Sequence, residues 1–359
     1  METYFCRMKS APVLNLTMLQ VDTAPVDRRT SFFFARFISL LVFICTAFFS
    51  GAEPGSIPER IAWIASRDRV DSSAPGDNSS KKYLPLVTAI NVAGYGGTMI
   101  WLNNAWYKGE ARTKFHVFND SKEWLQVDKI GHGWTAYNAG RAATSLWEWA
   151  GLSHKKAVWV GGLSGFAYLT GIEFLDAYSA KWGWSWSDIA ANAAGSSLFI
   201  GQEFLWNEQR IQLKFSFHRK KYHDPQLAAR ADDLYGAGFY ERMLKDYNAQ
   251  TYWLSANIHS FFPKSQWPAW LNIAVGYGAD GMFGGFRNEW IGPDDGLVTR
   301  YDISRKRQFY LAPDIDLTKI ETKSKVVKTV LFALNAFKFP TPALQLDSKG
   351  KFRAYALYF

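Results

Sequence analysis

Apolar residues are unevenly spread along this chain, and their spacing divides it into four parts. A run from Phe32 to Phe49 follows Arg28 and Arg29, is interrupted by Arg36, and gives way to Ser50, Gly51 and Ala52. Positive charge, apolar run and small residues, in that order, make residues 1–52 an export signal cleaved after Ala52. An uncleaved anchor helix is the alternative, because the run is near the lower length limit for crossing a bilayer. Residues 53–82 are rich in Pro, Ser, Gly and charge and read as a flexible linker.

From Tyr83 to Tyr107 there is no charged residue. That length of Leu, Val, Ile, Ala, Gly and Trp suits a membrane-spanning or fully buried helix, with Asn91, Asn103 and Asn104 as its polar exceptions. Gly94, Gly96 and Gly97 would let another helix approach closely. A polar, aromatic loop follows over Arg112 to Glu123. The pattern then predicts a helix from Asp128 to about Trp149, stopped by Gly151, and a third from about Lys155 to Tyr178. The fourth starts at Ser185, runs through small residues from Ala190 to Ser197, and regains bulk from Leu198 to Trp206. Four helices with short connections predict an antiparallel bundle over residues 83–209.

Residues 210–359 have a different character. Arg210 to Arg230 is strongly basic, and Lys245 to Ser255 reads as a helix end plus loop. Leu271 to Gly278 alternates apolar and small or polar positions, which is a strand pattern, and Arg307 to Pro313 gives another. Between them Gly281 to Gly296 reads as a glycine-rich loop. Asp316 is placed to cap an amphipathic helix spanning Ile320, Val326, Val327, Val330, Leu331, Leu334 and Phe337, of interfacial or surface type. Ala343 to Leu346 and Phe352 to Phe359 form a terminal hairpin. A terminal Phe resembles the end of outer-membrane barrels, but the strands are too few to close one. The fold class expected is therefore mainly α: a membrane-associated antiparallel four-helix core, then a smaller mixed α/β region with a terminal β-hairpin.

Composition adds a partner class. Aromatic residues make up 17% of the 359 residues, with 16 Trp, and the formal net charge is +9. Trp and Tyr collect at membrane interfaces, and a basic surface suits an anionic partner. No nucleic-acid motif or long basic arm is present, so membrane lipid or another envelope component is favoured and nucleic acid is not. The basic run His218 to His223 is a solvated face or a head-group contact. Cys6 and Cys45 are the two cysteines, so the body has no disulfide framework. Ile44 stands where a lipidation motif needs a small residue, which argues against lipidation at Cys45.

Candidate chemistry concentrates between Val127 and Asn207. Asp128 and His132 are four apart and share a helix face; Glu173 and Asp176 share a second; Asp188 and Asn192 share a third. Convergence of the three faces would assemble a site able to hold a divalent metal ion or to run acid/base chemistry. The bland alternatives are specific: Asp128 as a helix cap, Ser185 with Asp188 as a capping box, Lys129 and Arg141 in ordinary ion pairs, His132 as a satisfied core histidine. No nucleophile elbow, phosphate-binding loop or metalloprotease motif occurs.

Asp128-Lys129-x-x-His132, an acid-bearing helix, and Ser187-Asp188-x-x-x-Asn192-x-x-Gly195 together resemble the VanZ-like membrane proteins. Glu173-x-x-Asp176, the Trp182-Gly183-Trp184-Ser185 turn and the small-residue fourth helix are similar to the YfiM-type family of envelope lipoproteins. The resemblance covers roughly Tyr83 to Gln209 and implies a helical, membrane-associated protein of the bacterial envelope, with no established reaction. Two functions are carried forward. One is a non-enzymatic envelope protein that binds lipid or another envelope component. The other is a metal-dependent or acid/base hydrolase or transferase acting on lipid- or glycan-linked phosphate, through Asp128, His132, Glu173, Asp176, Asp188 and Asn192.

Overall fold

The computed structural model describes residues 83–102 and 111–358. The export segment with Cys6 and Cys45, the linker, Asn103, Asn104 and the terminal Phe359 lie outside the described residues. Four long helices come first: α1 (Leu84–Leu102), α2 (Val127–Trp149), α3 (His154–Asp176) and α4 (Trp186–Trp206). The boundaries follow local chemistry. Gly151 ends α2 at a φ of 94°, while the Ser185 hydroxyl accepts from the Asp188 amide at 3.0 Å and starts α4.

Helices α2, α3 and α4 pack tightly, and small residues set how near they come. Gly140 of α2 faces Gly162 of α3, Ala136 faces Gly165, and Gly195 of α4 lies on the Gly133 carbonyl. The expected four-helix bundle is thus a three-helix core with α1 laid against its outside. Helix α1 touches α3 through the Tyr95 and Tyr168 rings, 5.0 Å apart, and through the Tyr95 and Ser164 hydroxyls at 3.1 Å. Its glycines do not mediate close packing: among the described residues nothing lies within 4 Å of a Cβ built on Gly94, Gly96 or Gly97. Nor is it fully buried, since Val92 and Ile100 are exposed.

By length and composition one described helix, α3, could cross a membrane. It lies along α2 and α4, whose buried positions include Lys129, Arg141, Glu148, Asp188 and Glu203. Those charges belong to a protein core, and α3 is the inner wall of that core on one face. Its other face carries exposed Trp159, Val160, Leu163 and Phe174.

Beyond α4 the chain is richer in strands than the sequence pattern indicated. Strands β1 (Ile211–Phe217), β2 (Gln250–Asn257), β3 (Leu271–Asp280), β6 (Lys306–Ile315), β7 (Thr341–Asp347) and β8 (Phe352–Tyr358) form one antiparallel sheet in that spatial order. A small ribbon, β4 (Glu289–Ile291) with β5 (Leu297–Thr299), lies within the supposed glycine-rich loop. Helices α5 (Pro225–Tyr235), α6 (Phe239–Lys245) and α7 (Ile258–Phe261) fill the connections.

The terminal hairpin β7–β8 is as expected. Strand β1 falls within the basic stretch and β2 where a helix end plus loop is expected, and the inward positions of both are polar. Lys214 is fully buried and ion-paired with Asp314 at 2.8 Å; Thr251, Ser255 and Asn257 are buried too. The amphipathic helix is shorter than its pattern. It is α8 (Lys325–Leu334), capped by Ser324, whereas Asp316 caps a separate 3-10 turn over Leu317–Lys319.

The glycine seam gives a direct test. A methyl group at Gly165 would stand 2.7 Å from the Ala136 carbonyl oxygen, which helix backbone cannot relieve without separating α2 from α3. Gly165→Ala should therefore destabilise the fold by about 1–3 kcal/mol despite its better helix propensity. A urea midpoint at or above that of the native chain would contradict the seam.

Candidate functional site

One end of the three-helix core is held by an ammonium group. Lys129, near the start of α2, donates to Asp120 from the preceding loop, to Asp128 Oδ2 at 3.0 Å and to Asp188 Oδ2 of α4 at 2.9 Å. Its three N–H bonds match three carboxylates. Asp120 in turn accepts from the Ser185 and Ser187 hydroxyls, both at 2.6 Å, and Asp128 Oδ1 accepts from the Tyr247 hydroxyl at 2.6 Å. A loop, two helices and the segment before β2 are thereby fixed to one point.

The backbone leading into the site is strained. Trp124, Leu125 and Gln126 have φ values of 48°, 51° and 65°, three consecutive non-glycine residues in the left-handed region. Such residues cost about 1–3 kcal/mol each. The turn is pinned by Trp124 N donating to Gly285 O at 2.8 Å, by the Tyr277 hydroxyl on the Leu125 carbonyl, and by Arg307 on Gln126 Oε1 at 2.6 Å. It reverses the chain between Asp120 and Asp128 so that both face Lys129.

His132, one turn along α2, faces the same space. Its Nδ1 is 3.1 Å from Asn192 Oδ1. With Nδ1 on that oxygen, the ring turns its Nε2 toward Asp188 Oδ1 at 3.7 Å and Glu173 Oε1 at 4.0 Å. These separations exceed a hydrogen bond. Glu173 is 2% exposed, and its Oε2 accepts from the Ser185 amide at 3.3 Å. Glu173 therefore supplies the reciprocal half of the Ser185 cap that Asp188 was expected to give. Asn192 is fully buried, with its Nδ2 lacking a hydrogen-bond partner.

Burial divides the acids into two kinds. For Glu173, desolvation, then the charges of Asp188 and Asp176, pushes its carboxyl up to about 9. For Asp188, burial raises the carboxyl to about 6 against the opposing pull of His132 and Lys129. Glu123, just outside the group, is raised by burial and by Asp128 and Asp120 to about 7. Burial also acts on Asp120, but hydrogen bonds from Lys129, Ser185 and Ser187 outweigh it and hold it at about 2. Asp128 is likewise burdened by burial yet lowered overall, by the charges of His132 and Lys129 and by Tyr247. At neutral pH a proton-bearing Glu173 thus sits across from His132, beside ionised Asp120 and Asp128.

Five of the expected site residues, Asp128, His132, Glu173, Asp188 and Asn192, come together, with Asp128 also tied to Asp188 through Lys129. Asp176 is half-buried one turn beyond Glu173 and acts on it through its charge. Asp128 does not cap α2, whose first residues are preceded by Gln126 with no side-chain cap. Arg141 donates to the Phe332 carbonyl at 2.5 Å and stacks on the Phe332 ring. Asp120, Ser185 as a donor to it, and Tyr247 complete the site and were not singled out from the sequence. Asp120 and Tyr247 lie in irregular segments where no helical spacing connects them to α2; the Ser185 hydroxyl already had a capping role to account for it.

The proton on Glu173 sets a pH dependence. Folded, the side chain keeps its proton up to about pH 9; unfolded, it loses it near 4.5. Between those values the unfolded chain binds fewer protons, so stability falls as pH rises, by on the order of 1 kcal/mol per pH unit. Glu173→Gln removes this slope. Its urea midpoint relative to the native chain should rise steadily from about pH 5 to about pH 8. A pH-independent difference would mean that Glu173 is ionised in the fold.

Comparison with known proteins identifies one domain. Residues 117–200 match the family described as "Predicted periplasmic lipoprotein (DUF2279)", so a domain of this family is present there. No curated protein and no solved structure matches the chain. The matched span contains Asp120, Asp128, Lys129, His132, Glu173, Ser185, Asp188 and Asn192, and excludes Tyr247 and the entire sheet.

Proposed function

We propose that this is a bacterial envelope protein that associates with membrane lipid through the outer face of its helical core. The observation that carries the reading is the two-sidedness of α3. Gly161, Gly162 and Gly165 are buried against α2 and α4, while Trp159, Val160, Leu163 and Phe174 stand exposed on the opposite side. A contiguous apolar stripe of this kind on a packed helix is a surface for lipid or for an envelope partner. Lys155 and Lys156 at its start suit an anionic head group. The domain match to a periplasmic lipoprotein family and the YfiM-type and VanZ-like resemblance support the same compartment. Replacing Val160 and Leu163 together by Glu should weaken sedimentation of the purified protein with phosphatidylethanolamine/phosphatidylglycerol vesicles by about tenfold or more. Equal sedimentation of native and variant chains would overturn this reading.

A second reading rests on the site itself. His132, Asp188 and Asp128 offer ligand atoms within 4.8 Å of one another. An ion bound at about 2.0–2.2 Å from imidazole nitrogen and carboxylate oxygen would fit the 3.7 Å between His132 Nε2 and Asp188 Oδ1. Hydrolase or transferase chemistry on a lipid- or glycan-linked phosphate would depend on that ion. Lys129 is held by three aspartates, so a phosphate would otherwise meet acids with no free cation among the site residues. Calorimetric titration of the metal-free protein with Zn2+ or Mn2+ should give one site that His132→Ala abolishes and Glu173→Ala weakens. No binding, or equal binding by native and His132→Ala chains, would leave the cluster as a fold-fixing network.

A further inference from the structure

The sheet has its polarity reversed. Cross-strand register places Leu254, Ile273, Val275, Phe309, Leu311, Leu344, Leu346 and Phe352 on one face, where all eight are exposed. The opposite face carries Lys214, Ser255, Asp314 and Gln345 together with Trp253, Tyr310, Tyr358 and the small Ala274, Ala312 and Ala343, and it is buried. Water would favour the reverse arrangement, because apolar area is what folding removes from solvent.

The buried face is also concave. Strands β2 and β8 are four places apart in the sheet, about 19 Å if it were flat. Yet Thr251 Oγ1 of β2 and the Tyr358 hydroxyl of β8 are 3.0 Å apart, and the Trp253 and Tyr358 ring centroids 6.0 Å. The sheet is curled around an interior of aromatic rings and charged or amide side chains, with Lys214, Asp314 and Lys338 ion-paired inside it. The exposed apolar face is therefore convex. A second convex copy would touch such a face over a small area, whereas lipid chains conform to it. Polar-in, apolar-out alternation on a curled antiparallel sheet is the pattern of β-structure in hydrocarbon.

Two neighbouring features extend the surface. Backbone bonds from Phe215 N to Ala336 O and from Lys338 N to Phe215 O cover part of the outer edge of β1. They also bring Phe337 onto Phe215, 6.3 Å between rings, at the end of α8. Helix α8 exposes Val326, Val327, Val330 and Leu334, with Lys325 and Lys328 in its sequence, as interfacial helices do. At the start of β3 the exposed Trp267 and Trp270 have the amphipathic character of an interfacial aromatic belt.

From this geometry we infer that the convex face of the curled sheet is seated in the hydrocarbon of a lipid bilayer. Strands β3 and β6 have ten residues, but β2 has eight and β7 and β8 seven, below the roughly 9–11 residues a crossing strand needs, so the face as a whole dips into one leaflet without spanning. This deepens the lipid reading given above for α3 and assigns a second contact surface.

The test places a nitroxide on single cysteines, Val275→Cys and Leu311→Cys, in the full chain with Cys6→Ser and Cys45→Ser. Leu163→Cys on α3 and Lys264→Cys serve for comparison. All are read on phosphatidylethanolamine/phosphatidylglycerol vesicles by collision with oxygen and with a water-soluble nickel chelate. Labels at 275 and 311 should lose their broadening by nickel and gain it from oxygen when vesicles are added, while the label at 264 stays open to nickel. A label at 163 that enters lipid while those at 275 and 311 remain open to nickel would overturn this inference and leave the α3 reading standing. No entry into lipid at any position would overturn both. Dipolar broadening between labels at 275, removed by dilution with unlabelled protein, would show a second copy covering the face and would also overturn it.

Discussion

One ammonium group and three carboxylates decide how this protein is put together. Lys129 is buried, and so are two of its three partners, Asp120 and Asp188, while Asp128 is half-buried. None of these charges could stay ionised there alone. Removing one partner from a buried ion pair typically costs about 3–5 kcal/mol, because the others are left uncompensated. The network does what apolar packing cannot: it fixes both angle and register among the loop at Asp120, the start of α2 and the start of α4. The strained turn at Trp124 to Gln126 lies between Asp120 and Asp128, both of which reach the same nitrogen.

The same network creates the difference between the acids. Lys129 has three bonds to give, and Asp120, Asp128 and Asp188 take them. Glu173 arrives from α3 with no cation assigned to it and carries its proton instead. His132 then faces one neutral and one shared acid across gaps too wide for a hydrogen bond. A purely structural network closes its distances. The 3.7 and 4.0 Å separations at Nε2 are what distinguish this group from a set of ordinary buried ion pairs.

Much of this site was legible because helical spacing is a strong rule. Asp128 with His132, and Asp188 with Asn192, share faces by arithmetic, whereas close helix contact falls at Gly133, Gly140 and Gly195 rather than at Gly94, Gly96 and Gly97. Residues contributed by irregular chain were not legible: Asp120 and Tyr247 reach the site through a turn and a loop that no periodicity describes. In the sheet the failure had another cause. Strand β1 alternates cleanly as Ile211, Gln212, Leu213, Lys214, Phe215, Ser216, Phe217. Its polar positions Gln212, Lys214 and Ser216 are buried, the reverse of what a strand facing water on its polar side would give. Period alone cannot say which face is inside.

Helix α2 joins these two unusual features. Its Trp134 lies 5.4 Å from the Phe215 ring and 6.2 Å from Phe337, while Gly131 leaves space for the Tyr252 hydroxyl. Tyr247, just before β2, donates to Asp128. The sheet is therefore bolted to the helix that carries Asp128, Lys129 and His132, on the same face that elsewhere stands bare. A sheet so attached cannot shift against the helical core without breaking the Tyr247 bond or opening the Trp134 contacts.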